Sequence, residues 1–172
     1  LLKPASQTVL PAYLICQCFW DAGIPRDALQ FVPCPGDTGG QTLIADDRVD
    51  VVILTGGTAT AQTMLQARPD LELMAETGGK NATIITALSD RELAIKHVLQ
   101  SAFSHAGQKC SATSLLLLEQ EVYDDPSFRE TLVDAVSSMR VGSAWQPENQ
   151  IGPLISPPSG PLLRTLNQLE TG

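Results

Sequence analysis

Residues 49–54 read VDVVIL, a β-branched and almost unbroken apolar run. Runs of this kind are buried on both faces of a parallel sheet, and parallel strands need long, usually helical, crossovers between them. The flanking sequence supplies those crossovers. Residues 8–22 are apolar at helical spacing, and Gly23 followed by Pro25 ends them as a C-terminal glycine and a breaker should. Residues 29–32 form a short β-type run, 37–45 suit a brief helix, and Thr55-Gly56-Gly57 makes a turn. Thr58 can cap a helix through Ala67 before Pro69, and residues 71–75 then lead as a strand into Glu76. This β-α-β-α-β order predicts an α/β fold with a parallel sheet and right-handed crossovers.

The second half continues the alternation. Residues 82–86 (ATIIT) suit a strand, and 90–104 suit a helix capped by Ser89 or Asp90, with Leu93, Val98, Ala102 and Phe103 on its buried side. Ala106-Gly107 ends that helix and leaves Cys110 in the connection to a strand at 114–118. Residues 126–139 form an amphipathic helix with proline in its first turn. Residues 141–160 are loop-rich, holding four of the twelve prolines, and 161–169 make a last helix.

Charge and cysteine usage exclude several classes. Eleven basic against nineteen acidic residues give a net charge of −8, with no basic stripe to neutralise phosphates, which argues against nucleic acid. No apolar run approaches the roughly 20 residues that span a bilayer, so no integral membrane segment is expected. The first residues, LLKP, lack the charged leader, apolar core and cleavage site of a signal peptide. The four cysteines form no C-x-x-C, and the two histidines, His97 and His105, stand apart, so no zinc site is expected. Reduced thiols in a cytoplasmic protein follow as the simplest reading. Cys16, Cys18 and Cys34 read as core residues.

Two turns carry the chemistry. M-A-E-T-G-G-K-N at 74–81 places Glu76 at the end of an apolar strand, before two glycines that let the backbone pass close to a ligand. A carboxylate there is costly unless hydrated, paired or used. G-Q-K-C-S-A at 107–112 places Cys110 in a reachable turn beside Lys109, and an adjacent cation favours the thiolate. A thiol nucleophile served by a carboxylate base is the pairing these turns suit. Gly56 and Gly57 follow a strand where a backbone would approach a pyrophosphate, but the G-x-G-x-x-G fingerprint is absent and a plain tight turn explains them equally well.

These two motifs, in this order and spacing, resemble those of the aldehyde dehydrogenase superfamily. In that family the cysteine attacks the aldehyde and the glutamate activates water. The resemblance extends along nearly the whole chain. K-P-A at 3–5 looks like the lysine motif that holds the adenosine ribose of NAD, and P-C-P-G at 33–36 puts Gly36 near the adenine side. L-T-G-G-T-A at 54–59 resembles the segment whose backbone touches the pyrophosphate, implying cofactor contacts from Gly56, Gly57 and Thr58. Thr77 and Gly78 follow the base in the same cofactor-binding stretch. I-G-P-L at 151–154 resembles a structural loop of the family. The implied architecture is a Rossmann-like parallel-sheet part, residues 1–76, joined to the front of the catalytic α/β domain, 77–172.

Three departures bear on the cofactor rather than the reaction. Gly57 stands where the family has serine, Ala59 where it has glutamate, and Thr77 where leucine is common. NAD is the implied cofactor, and NADP is left open. The flanks of Cys110, with Ala102-Phe103 before and Ser111-Ala112 after, look most like 1-pyrroline-5-carboxylate dehydrogenases, including those within bifunctional proline-utilisation enzymes. Carried over, Ser111 helps hold the carboxylate of glutamate semialdehyde, with a small turn-filling residue as the plainer alternative. The family's oxyanion asparagine would lie before Leu1, and its nicotinamide-ribose glutamate and oligomerising segment past Gly172. The chain is therefore expected to be an internal piece of a homo-oligomeric parent, without useful dehydrogenase activity alone. Another aldehyde substrate, an acylating or thioester-hydrolysing thiol enzyme, and a non-catalytic domain with relic motifs are the competing readings.

Overall fold

The computed structural model describes residues 1–168, so the expected end of the last helix at Leu169 lies outside the described residues. The chain divides into two compact units, Leu1–Gly78 and Gly79–Gly172.

The first unit is built from α1 (Val9–Asp21), α2 (Gln41–Ala45), β1 (Val51–Gly56), α3 (Thr58–Ala67) and β2 (Glu72–Thr77). β1 and β2 pair in parallel, with Ile53 opposite Met74 and Thr55 opposite Glu76. Gly23, at φ 100°, closes α1 as the sequence predicts. Two expectations change here. Residues 29–32 form no regular strand, only a parallel bridge between Leu2 and Phe31, with Leu2 N donating to Gln30 O at 2.7 Å and Val32 N to Leu2 O at 2.9 Å. Thr58 is the first residue of α3 rather than its cap; Gly57 takes the cap position, with no side-chain bond.

β1 also departs from the doubly buried strand its sequence predicts. Val51 and Ile53 are exposed, Ile53 to 80%, as is Met74 opposite Ile53. The reason is topological: among the described residues the sheet has only two strands, and strand faces need a packed layer on each side to be buried. Arg68 braces the loop before β1, its Nη1 donating to the carbonyls of Asp46 at 3.1 Å and Val49 at 2.8 Å. On the surface nearby, hydrogen bonds from the Arg48 side chain and backbone hold the Asp46 carboxyl well below the usual carboxylate range.

The second unit contains β3 (Asn81–Ile85), α4 (Arg91–Phe103), β4 (Thr113–Leu118), α5 (Gln120–Tyr123), α6 (Pro126–Ser137) and α7 (Gly160–Asn167). β3 and β4 pair in parallel. One face of the pair carries Ile85, Leu116 and Leu118 into a core with Ile95 and Val98 of α4, Val122 of α5 and Phe128 of α6. Burying an aliphatic or aromatic side chain of this size contributes about 1.5–3 kcal/mol, so this cluster is the unit's main source of cohesion. Asp90 caps α4 by accepting from Leu93 N at 2.9 Å, and Asp125 caps α6 by accepting from Ser127 N at 3.0 Å. The buried side of α4 is shifted from the expected one. Ile95 and Val98 are buried, whereas Leu93 is 49% exposed, because the helix turns its Ile95 face to the sheet and α6.

Among the described residues each unit thus carries one parallel pair of strands. Of the cysteines read as core, Cys16 is fully buried and Cys34 half-buried, but Cys18 is exposed. Two helical positions are about 200° apart, so Cys16 and Cys18 cannot share the buried face of α1.

Candidate active site

α4 ends at Phe103, and the chain then makes an unusual reversal. His105 (φ 52°, ψ 31°), Ala106 (φ 56°, ψ 35°) and Gly107 (φ 71°) take left-handed conformations in succession. For residues with a Cβ this costs roughly 1–2 kcal/mol each. The turn is held by Gln108, whose N and Nε2 both donate to His105 O, at 3.1 and 2.9 Å. Gln108 Oε1 in turn accepts from Ile155 N at 2.9 Å, fastening the turn to the loop that follows I-G-P-L. Gly107 is required where it stands: its φ is positive, and an added Cβ would lie 3.1 Å from Ala102 O.

Cys110 follows in a second turn, closed by Ala112 N donating to Lys109 O at 3.1 Å. It is a free, exposed cysteine, and Ala112 behind it is buried. The Asn81 amide spans this turn, donating to Cys110 O at 2.6 Å and to Ala112 O at 3.1 Å. β4 is joined to α4 and β3 just beyond. Thr83, Thr113 and Ser101 form a run of hydroxyl hydrogen bonds, each 2.8 Å long. Ser111 and Lys109 line a cleft of about 290 Å³ with His97, Gln100, Ser101 and Ser104; Cys110 is not among its walls.

In the first unit Glu76 is exposed on β2, one residue before the strand ends at Thr77, so its carboxylate is hydrated rather than buried. Gly78 follows at φ 62°, and Thr58 Oγ1 sits 3.1 Å from where its Cβ would be. Gly56, Gly57, Thr58, Thr77 and Gly78 therefore meet at one end of the β1–β2 pair, where Gly56 lies opposite Thr77. Lys3 lies elsewhere in the same unit, beside the far end of the segment that Gly36 begins. The Lys3 stem packs 3.4 Å from a Cβ built on Gly40, at the end of the Gly36–Gly40 turn, while Lys3 Nζ donates to Pro4 O at 2.8 Å.

Sequence reasoning did not assign Asn81 or Gln108 a part, although both stand inside the two motifs. Their amides are recognised only when the turns they bridge are seen. Among the described residues no group of three or more His, Cys, Asp or Glu side chains is placed to hold a metal. No described helix is long and apolar enough to cross a membrane.

Parallel strands joined by helices, with glycine-bearing turns and a thiol in an exposed turn, define an α/β protein. The chain belongs to the aldehyde dehydrogenase family, whose model matches residues 1–166. It is 38% identical over 164 residues to the bifunctional protein PutA of Escherichia coli strain K12, covering 90% of this chain and 12% of that protein. The structure of proline utilization A from Corynebacterium freiburgense matches with a TM-score of 0.91 at 40% identity, over 99% of this chain and 17% of that one. A betaine aldehyde dehydrogenase from Staphylococcus aureus, crystallised with NAD+, matches with a TM-score of 0.83 at 29% identity, over 90% of this chain and 31% of that one. The chain thus spans less than a third of the length of each.

Proposed function

We propose that this chain is the thiol-bearing segment of an NAD-dependent aldehyde dehydrogenase whose substrate is glutamate 5-semialdehyde, as in proline catabolism. The observation that carries the reading is the exposed Cys110 held in a doubly tied turn. The Cys110 thiolate bonds to the aldehyde carbon, and the carbonyl electron pair moves onto oxygen, where the Cys110 N–H is positioned in sequence to donate. The oxyanion's electron pair re-forms the carbonyl as the aldehyde C–H bond breaks, leaving a thioester on Cys110, and NAD, where bound, would supply the acceptor for that hydride. Glu76 takes a proton from water as that water attacks the resulting thioester, releasing the carboxylic acid and returning the thiolate.

The residues present fit the cofactor. Gly57 leaves the first amides of the ten-residue helix α3 open to a pyrophosphate, with nothing nearer to its missing Cβ than Thr60 Oγ1 at 3.9 Å. Gly78 leaves Thr58 Oγ1 uncovered, and Gly36 has nothing within 4 Å of its own missing Cβ. Lys3 would hold the adenosine ribose, and Thr77 would contact the cofactor. The semialdehyde is supported by the likeness to proline-utilisation proteins, by Ser111 on the cleft wall, and by Lys109 beside it as a partner for the substrate carboxylate. A cytoplasmic homo-oligomer is the setting this reading implies. The likeness to a betaine aldehyde dehydrogenase favours a second substrate reading, a different aldehyde on the same machinery.

NADH formation by the full-length protein tests the proposal, comparing glutamate semialdehyde with a simple aliphatic aldehyde. Preference for the semialdehyde, abolished in Cys110→Ala, is the expected result. Equal or reversed preference removes the substrate, and activity surviving in Cys110→Ala removes the mechanism.

A further inference from the structure

We infer that Asn81 is a positioning residue for the thiol, the group that decides where Cys110 points. A primary amide carries two N–H donors, and both are spent on the nucleophile's own turn. One meets Cys110 O at 2.6 Å and the other Ala112 O at 3.1 Å, carbonyls that bracket Ser111. Two carbonyl oxygens at these distances also fix which end of the amide faces them, since only the NH2 group can approach both. Holding the carbonyl of Cys110 fixes the following peptide plane, and with it the direction in which the Cys110 Cα–Cβ bond leaves the turn and the orientation of the Ser111 N–H.

A second observation shows that the strands are adjusted to make this contact. Asn81 pairs with Thr113, but Ala82 pairs with Leu115, so the register slips at the point where Asn81 reaches across and Ser114 is left over. Bulges of this sort re-aim a side chain beside functional sites. Gly79 lies against the same contact: a Cβ there would sit 3.7 Å from Cys110 O and 3.8 Å from Asn81 Nδ2, at ordinary packing distance. The amide thus works from the first residue of β3, a rigid element, onto a turn that otherwise has one backbone hydrogen bond of its own.

The inference rests on Cys110 being the nucleophile, and its test separates the two. In the full-length protein, Asn81→Asp keeps the shape, removes both donors and sets a carboxylate against two carbonyls. Asn81→Ala removes the group altogether. Misplacing a reacting atom by about 1 Å costs on the order of 100-fold in rate. Iodoacetamide alkylation of Cys110 and kcat should therefore both fall by roughly 10- to 100-fold in each variant, while NAD affinity and the thermal midpoint stay at the parent values. Alkylation and kcat within twofold of the parent would overturn the inference. So would parallel losses of NAD affinity and thermal midpoint, which mark a merely structural residue. Full activity in Cys110→Ala would instead strike the proposed mechanism, with the alkylation readout still reporting on Asn81.

Discussion

Gln108 and Ile155, 47 positions apart, are joined by a hydrogen bond from Ile155 N to Gln108 Oε1 at 2.9 Å. The same side chain donates to His105 O, so one amide couples the left-handed reversal before the thiol to the loop at 151–159. Replacing Gln108 with alanine frees Ile155 N and leaves His105 O with only the backbone N–H of residue 108. Limited proteolysis mapped by mass spectrometry should then show faster cutting within residues 151–159. An unchanged cleavage pattern would mean that the loop is held by its other contact, the bridge between Val141 and Ile151.

Gly107 makes a sharper prediction, because both its φ and its surroundings forbid a side chain. Gly107→Ala should destabilise by about 1–2 kcal/mol from the left-handed backbone alone, with the approach to Ala102 O adding to it. Gly152 provides the internal control, since it has no positive φ and nothing within 4 Å of an added Cβ. Thermal denaturation of the full-length protein should show a lowered midpoint for Gly107→Ala and little change for Gly152→Ala. Equal midpoints would show that the reversal relaxes without loss.

Gly57 is a departure that can be reversed. Its φ of −83° is open to any residue, and serine caps a helix at least as well as glycine. Gly57→Ser should fold normally and bind NAD about 2- to 10-fold more tightly, the worth of one net hydrogen bond. Titration calorimetry on the full-length protein reads this directly. Unchanged affinity would show that the hydroxyl does not reach the phosphates.

Elements with strong periodicity or firm punctuation are legible in the amino-acid sequence. The cap at Asp90, the stop at Gly23 and a strand beginning within 49–54 announce themselves through local chemistry, although that strand runs from Val51 to Gly56. Burial is less legible. Leu93 and Ile95 are equally apolar, and only the position of α6 decides which of them faces the core. Likewise VDVVIL does not say how many layers cover it, and Phe31 does not reveal that its pairing stops at a bridge. Of the candidate site, the turns that follow Glu76 and precede Cys110 are legible because their glycines mark them. Asn81 is not, because an amide takes its meaning from what it bridges. The left-handed geometry of His105 and Ala106 carries no firm sequence signal, since neither residue type demands it as glycine would.

The uncovered side of each strand pair gives this chain a split personality in solution. Ile53 and Met74 lie side by side on one pair, Ile84 and Leu117 on the other, all of them open to water. A net charge of −8 keeps such molecules apart in dilute buffer. Sulfate and phosphate salts screen that repulsion and strengthen apolar association together. A preparation of this chain should therefore salt out early and cloud as it is concentrated, behaving as an acidic amphiphile rather than an inert colloid.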